Sequence, residues 1–132
     1  MKLIHILAVM NLAIAMQAAY AGPYEDALRE IEKGNYAQGY TLLEPLAEAG
    51  NAEAQYLVGS MVIDKAVPGV DQKRGVYWLE KAVENQHMDA AQDLSKMYLS
   101  GYVVSFDAQK GIEYQALANE YRPADKPVED CE

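Results

Sequence analysis

Residues 51–86 read NAEAQYLVGSMVIDKAVPGVDQKRGVYWLEKAVENQ, and residues 87–122 read HMDAAQDLSKMYLSGYVVSFDAQKGIEYQALANEYR. Laid over one another without a gap, they pair Ala54 with Ala90, Met61 with Met97, Val67 with Val103, Asp71 with Asp107, Gly75 with Gly111, Ala82 with Ala118 and Glu84 with Glu120. Val58/Leu94, Ile63/Leu99, Arg74/Lys110, Val76/Ile112 and Trp78/Tyr114 keep size or polarity where identity is lost. The interval recurs upstream, where Asn35, Gly39, Leu43, Glu44 and Glu48 precede Asp71, Gly75, Leu79, Glu80 and Glu84. Such self-similarity is the mark of an array in which each unit buries its apolar face on its neighbour.

Within a unit, Ala54, Val58, Met61 and Val62 recur at helical spacing, as do Ala90, Leu94, Met97 and Tyr98. Asp71 and Asp107 then stand where a carboxylate caps the free N–H groups of a following helix, with Asn35 in the same role earlier. The second helices carry the stripe Val76, Leu79, Ala82 and Val83, whose places are held later by Ile112, Leu117 and Ala118. Pro68-Gly69 and Ser100-Gly101 mark loops between paired helices, and no alternating strand pattern competes. Six helices are expected, at about 24–33, 36–49, 52–64, 71–85, 88–100 and 107–121. Gly39, Gly75 and Gly111 share one helical position. Glycine costs about 1 kcal/mol relative to alanine inside a helix, so close approach of a neighbouring helix is the expected compensation. Pro45 deprives its helix of an amide and predicts a bend, Arg122-Pro123 ends the last helix, and Trp78 and Tyr114 read as packing residues.

The ends carry different information. Met1-Lys2, the apolar stretch Leu3 to Met16 and the small residues of Ala19-Tyr20-Ala21 form the pattern of a secretory signal cleaved after Ala21. That stretch falls short of the roughly 20 residues a membrane span requires, which leaves no stable membrane anchor after cleavage. Gly22 stands where a lipoprotein would need cysteine. The chain therefore divides into a signal peptide (1–21), a helical repeat domain (22–121) and an acidic, proline-containing tail (122–132), and a periplasmic address is expected, with secretion as the alternative. Eleven basic against 20 acidic residues give a net charge of −9, which argues against a nucleic-acid partner. Cys131 is the only cysteine, so neither an internal disulfide nor a multi-thiolate zinc site can form; an intermolecular bridge is open to it, as is the role of an incidental thiol.

Catalysis needs a constellation that the chain does not spell out. His87, the only histidine after the signal segment, reads as a loop or helix-start residue between units, and Ser60, Ser95, Ser100 and Ser105 lack a nucleophile-elbow context. Glu53 with Asp89, or Asp89 with Asp93, supplies too few oxygens for Ca²⁺. No catalytic, metal or cofactor-binding residue is assigned.

The segments Leu42-Leu43-Glu44-Pro45-Leu46-Ala47-Glu48-Ala49-Gly50, Ala52-Glu53-Ala54-Gln55-Tyr56-Leu57-Val58-Gly59-Ser60-Met61 and Asp71 to Ala82, with its Tyr77-Trp78-Leu79-Glu80-Lys81-Ala82, together resemble the Sel-one-like repeat, a relative of the tetratricopeptide repeat. The resemblance covers about residues 24–121. It departs at Lys65, Val67 and Val103, where the family places loop glycines, and at Ser95, which replaces the counterpart of Gly59. It implies an all-α chain folded as a short right-handed α/α solenoid of about two and a half helix-pair repeats. It also implies a non-catalytic protein-binding scaffold; exported bacterial members include envelope adaptors and immunity proteins against secreted toxins. Members linked to penicillin binding or β-lactam hydrolysis carry paired cysteines that this chain lacks, so a cell-wall or β-lactam-acting enzyme is the remote alternative.

Solenoids expose a concave surface lined by the first helix of each pair. If Ala54, Val58 and Met61 point inward, Glu53, Tyr56 and Ser60 face outward, joined by Asp89, Gln92, Asp93 and Lys96 on the next first helix and extended by Glu25, Arg29 and Glu32. These carboxylates and aromatic rings suit a protein partner of basic or mixed charge. Because a short array leaves its ends uncovered, weak self-association is a further expectation.

Overall fold

A computed structural model describes residues 22–123; the expected signal peptide at 1–21, and the tail beyond 123 with Cys131, lie outside the described residues. Six helices fill the described residues: α1 (22–32), α2 (Tyr36–Glu48), α3 (Ala52–Ile63), α4 (Gln72–Glu84), α5 (Met88–Ser100) and α6 (Ala108–Glu120). Each boundary falls within two residues of its sequence expectation. α2 continues through Pro45 to Glu48. α3 packs on α4 and α5 on α6, while α2 against α3 and α4 against α5 join one pair to the next.

Local chemistry explains where the helices begin. Asp71 accepts the Lys73 N–H at 3.0 Å and Asp107 accepts the Lys110 N–H at 3.0 Å, as carboxylate caps do. Asn35 departs from the expected role. It stands at the cap position of α2 but makes no side-chain cap, because its amide N–H donates instead to the Glu30 carboxylate at 2.8 Å. Asn51 and His87 supply the caps of α3 and α5, accepting from Ala54 N–H at 2.8 Å and Ala90 N–H at 3.3 Å.

The exits share one solution. Gly34, Gly50, Lys65, Gln86 and Gly101 all have φ between 58° and 92°, and the N–H of the residue after each donates to the carbonyl five positions back. Lys65 thus keeps the left-handed turn that Gly101 makes in the next unit, without glycine's freedom. The two loops diverge two residues later, where Val103 has φ 64° while Val67 is buried and outside the left-handed region.

Two apolar clusters form the core, and each bridges repeats. Ala27, Leu43, Leu46, Ala54, Val58, Met61 and Trp78 join in one, while Ile63, Val76, Leu79, Ala82, Leu94, Met97 and Ala118 join in the other. The glycines of the second helices sit where helices cross. A Cβ on Gly39 would lie 2.6 Å from Ile31, one on Gly75 would lie 2.9 Å from both the Gly59 carbonyl oxygen and Ile63, and one on Gly111 would lie 2.6 Å from Leu99. Eight residues separate Ile31 from Gly39, whereas twelve separate Ile63 from Gly75 and Leu99 from Gly111. The first connection is therefore four residues shorter, and Ala27, Gly59 and Ser95 are structural counterparts. Ser95 is buried, and its hydroxyl donates to the Gly111 carbonyl at 2.8 Å, which gives the larger side chain a partner at the crossing.

α6 departs from its expected stripe. Val76 is buried but its counterpart Ile112 is 66% exposed, because no further helix pair among the described residues covers that side. Trp78 is 3% exposed, whereas Tyr114 is half-buried and stacks on Tyr98 at 5.7 Å.

Candidate functional site

α3 and α5 stand side by side, and their outward side chains meet across the repeat boundary. His87 is the joint. Its Nδ1 accepts the Ala90 N–H, so the neutral ring carries its proton on Nε2 and donates to Glu53 at 3.0 Å. The Tyr56 ring stacks on the imidazole at 4.4 Å and 21°, and its hydroxyl donates toward Asp93 at 3.4 Å. Lys96 reaches the other oxygen of Asp93, also at 3.4 Å. Burial pushes the Tyr56 phenol above its ordinary pKa, and the nearby charge of Asp93 pushes the same way.

Of the seven residues assigned to this face from sequence, Glu53, Tyr56, Asp93 and Lys96 are linked in this way, three through direct contacts and Glu53 through His87. Ser60 lines the same cleft as Tyr56, Asp93 and Lys96. Asp89 is exposed and Gln92 half-buried, both on α5. Glu53 and Asp89 also lie in the first turns of their helices, where a carboxylate favours the helix dipole.

The structure adds three residues to the face and moves its first-unit extension. His87 is more than the loop or helix-start residue its sequence context suggests, since its side chain is both an N-cap and a cross-repeat link. Asp64 and Tyr102 line the cleft between α3 and α5. Of the expected extension Glu32 alone falls in register, as the counterpart of Asp64; with the first connection four residues shorter, Tyr24 and Leu28, not Glu25 and Arg29, stand where Tyr56 and Ser60 stand. Both are half-buried, and Leu28 brings an apolar side chain to the place of the Ser60 hydroxyl. Burial raises the pKa of Tyr24, and the charge of Glu53 adds to the rise. Arg29 is engaged with Asp26 of its own helix.

The second helices offer a different surface. Arg74 of α4 bridges to Glu44 of α2 at 2.9 Å, and Tyr40 donates to the same carboxylate at 2.7 Å. The Tyr40 bond first, and then Arg74, hold the Glu44 carboxyl below its ordinary pKa. Arg74 also lies 5.6 Å from the Trp78 ring centroid. Among the described residues, no three of His, Cys, Asp and Glu are grouped to hold a metal ion, and no helix is long and apolar enough to cross a membrane.

No family model and no curated protein matches the chain. Solved structures do. A protective antigen present in uropathogenic Escherichia coli strains, displaying an SLR fold, superposes with a TM-score of 0.70 at 24% identity over 80% of this chain. This chain spans only 24% of that antigen's length. A Sel1 repeat protein from Oxalobacter formigenes superposes with a TM-score of 0.60 at 21% identity, over 83% of this chain and 89% of that one. The architecture of stacked helix pairs is thus that of Sel1-like repeat solenoids.

Proposed function

Taking the Sel1-repeat fold as the premise, we propose that the chain is a non-catalytic protein-binding module that holds a partner against the face formed by α3 and α5. The observation that carries this reading is the Glu53–His87–Tyr56–Asp93 cluster. Long polar side chains lose rotamer freedom when they are held, and on this face that loss is already met before a partner arrives. Here acidic and aromatic groups are held in mutual contact across a repeat boundary, and a preorganised face loses less entropy on binding than a loose one. Its carboxylates favour a partner of basic or mixed charge.

The address belongs to the same proposal. The signal-like residues 1–21 support export, and an exported Sel1-type module fits an adaptor in an envelope complex, with the immunity role as its narrower variant. To test the reading, the protein is immobilised, envelope extract is passed over it at low and high salt, and retained proteins are identified by mass spectrometry. Retention of a protein that is lost when Glu53, Tyr56, Asp89 and Asp93 are replaced together supports the α3–α5 face. Retention unchanged by those substitutions overturns it.

A further inference from the structure

The cleft between α3 and α5 has a volume of about 280 Å³ and a sharply divided lining. Ile63, Leu79 and Met97 contribute buried apolar surface, and Tyr56, Tyr102, Asp64 and Asp93 contribute two rings and two carboxylates. That volume holds one long side chain, not a secondary-structure element. We propose that the cleft is an anchor for a single basic side chain, arginine or lysine, presented by the protein partner. The inference rests on the protein-binding reading above and names what the partner must present.

Three features select a cation on an aliphatic stem. Such side chains lay their methylenes on apolar surface and keep the charge at a polar rim, which matches the division of the lining. The Tyr56 and Tyr102 rings line the cleft, aromatic rings attract cations, and a carboxylate makes its strongest hydrogen bonds with a charged donor. Asp64 is the C-cap of α3, so the negative end of that helix adds to its charge.

Asp93 is also weakly engaged. Both of its contacts, to Tyr56 and to Lys96, are 3.4 Å long, and the Lys96 side chain is 74% exposed. Lys96 is therefore a loosely held internal cation that an incoming guanidinium or ammonium displaces. Asp64 and Asp93 place two carboxylates in the lining against the one cation Lys96, so the cleft is net negative and attracts a basic side chain.

The test is a titration of the isotope-labelled protein, followed by NMR, with the capped tripeptide acetyl-Gly-Arg-Gly-amide and with its neutral citrulline analogue. The arginine peptide shifts resonances grouped at Tyr56, Asp64, Asp93, Met97 and Tyr102, and the citrulline peptide leaves them in place. Asp64→Asn with Asp93→Asn weakens binding by roughly tenfold while the remaining resonances stay put, and Lys96→Gln tightens it roughly two- to threefold. Equal shifts from both peptides, or arginine-induced shifts scattered over the acidic surface and indifferent to the double substitution, overturn the anchor. The two readings fail separately. A partner still lost on replacing the α3–α5 face, beside a negative peptide result, sinks the anchor alone. Partner retention indifferent to the face sinks the binding face itself.

Discussion

At Lys65 and Gln86 the chain leaves a helix in the left-handed region, with φ 58° and 62°, as it does at Gly34, Gly50 and Gly101. A side chain with a Cβ is strained there, whereas glycine is not. The hydrogen bonds that demand this conformation are present at all five sites, so the turn is imposed by the helix exit and not chosen by the residue. Lys65→Gly should therefore stabilise the protein by roughly 0.5–1 kcal/mol, read as a higher urea midpoint at unchanged slope. Gly50→Ala is the mirror: a Cβ there meets nothing within 4 Å, so its cost, of similar size, is backbone strain alone. A loss of stability in Lys65→Gly would show that the lysine side chain makes a contact worth more than the strain. Single residues also mark the limit of what the sequence discloses. Asp71 and Asp107 are legible as caps because a short carboxylate has few other ways to satisfy the helix start. Asn35 carries the same signal but is captured by Glu30, a competition that depends on the short first connection. His87 is hidden for the opposite reason, since imidazole is an uncommon cap and its bond to Glu53 spans 34 residues of sequence.

Between elements, the decisive contacts are the glycine crossings. Gly75 faces the Gly59 carbonyl oxygen, a backbone atom that cannot swing aside, so Gly75→Ala forces α3 and α4 apart. Its expected cost is about 2 kcal/mol even after the gain in helix propensity. At Gly39 the obstructing atoms belong to the half-buried Ile31 side chain, which can rotate, so Gly39→Ala should cost clearly less. Thermal unfolding of the two variants side by side checks the ordering, and equal losses would mean that α1 is as fixed as α3. The need for these glycines is legible from their recurrence at one helical position, but which neighbour each one meets is not. The offset of 36 residues that aligns α3 with α5 does not carry back to α1, because the connection from α1 to α2 is four residues shorter. α2 and α4 are further tied by Glu44, Arg74 and Tyr40. Because the folded-state pKa of Glu44 is depressed, its contribution is present above the ordinary value near 4.5 and is lost as pH falls through the lower folded value. Glu44→Gln should therefore be less stable than the parent at pH 6, and the gap should close as pH falls below 4. A gap that is constant with pH would mean the carboxylate charge is not what joins the two helices.

For the molecule as a whole, the outer faces of the second helices differ from one repeat to the next. α4 presents Leu79 and Val83, 1% and 6% exposed, to the pair that follows it. The structural counterparts on α6 are Gln115 and Asn119, both exposed, and the Gln115 amide reaches the Asn119 side chain at 3.5 Å. Among the described residues only Gly111 and Ala118 of α6 are buried, whereas α4 buries six residues. α6 thus carries a polar outer face of the kind that closes a repeat array, with Ile112 as its one large exposed apolar residue. The two positions that would receive a neighbour carry amides in place of apolar side chains, which argues against association through this face. A polar closing face constrains both the parent protein and one variant. Sedimentation velocity at micromolar concentration, with reductant so that no disulfide through Cys131 contributes, should show the parent protein as a monomer. Gln115→Leu combined with Asn119→Val restores the stripe that α4 uses, creates a contiguous apolar patch with Ile112, and should drive concentration-dependent association. A parent that already associates, with Ile112→Asp dissolving the complex, would show that the polar pair does not close the array and that α6 is an interface in its own right.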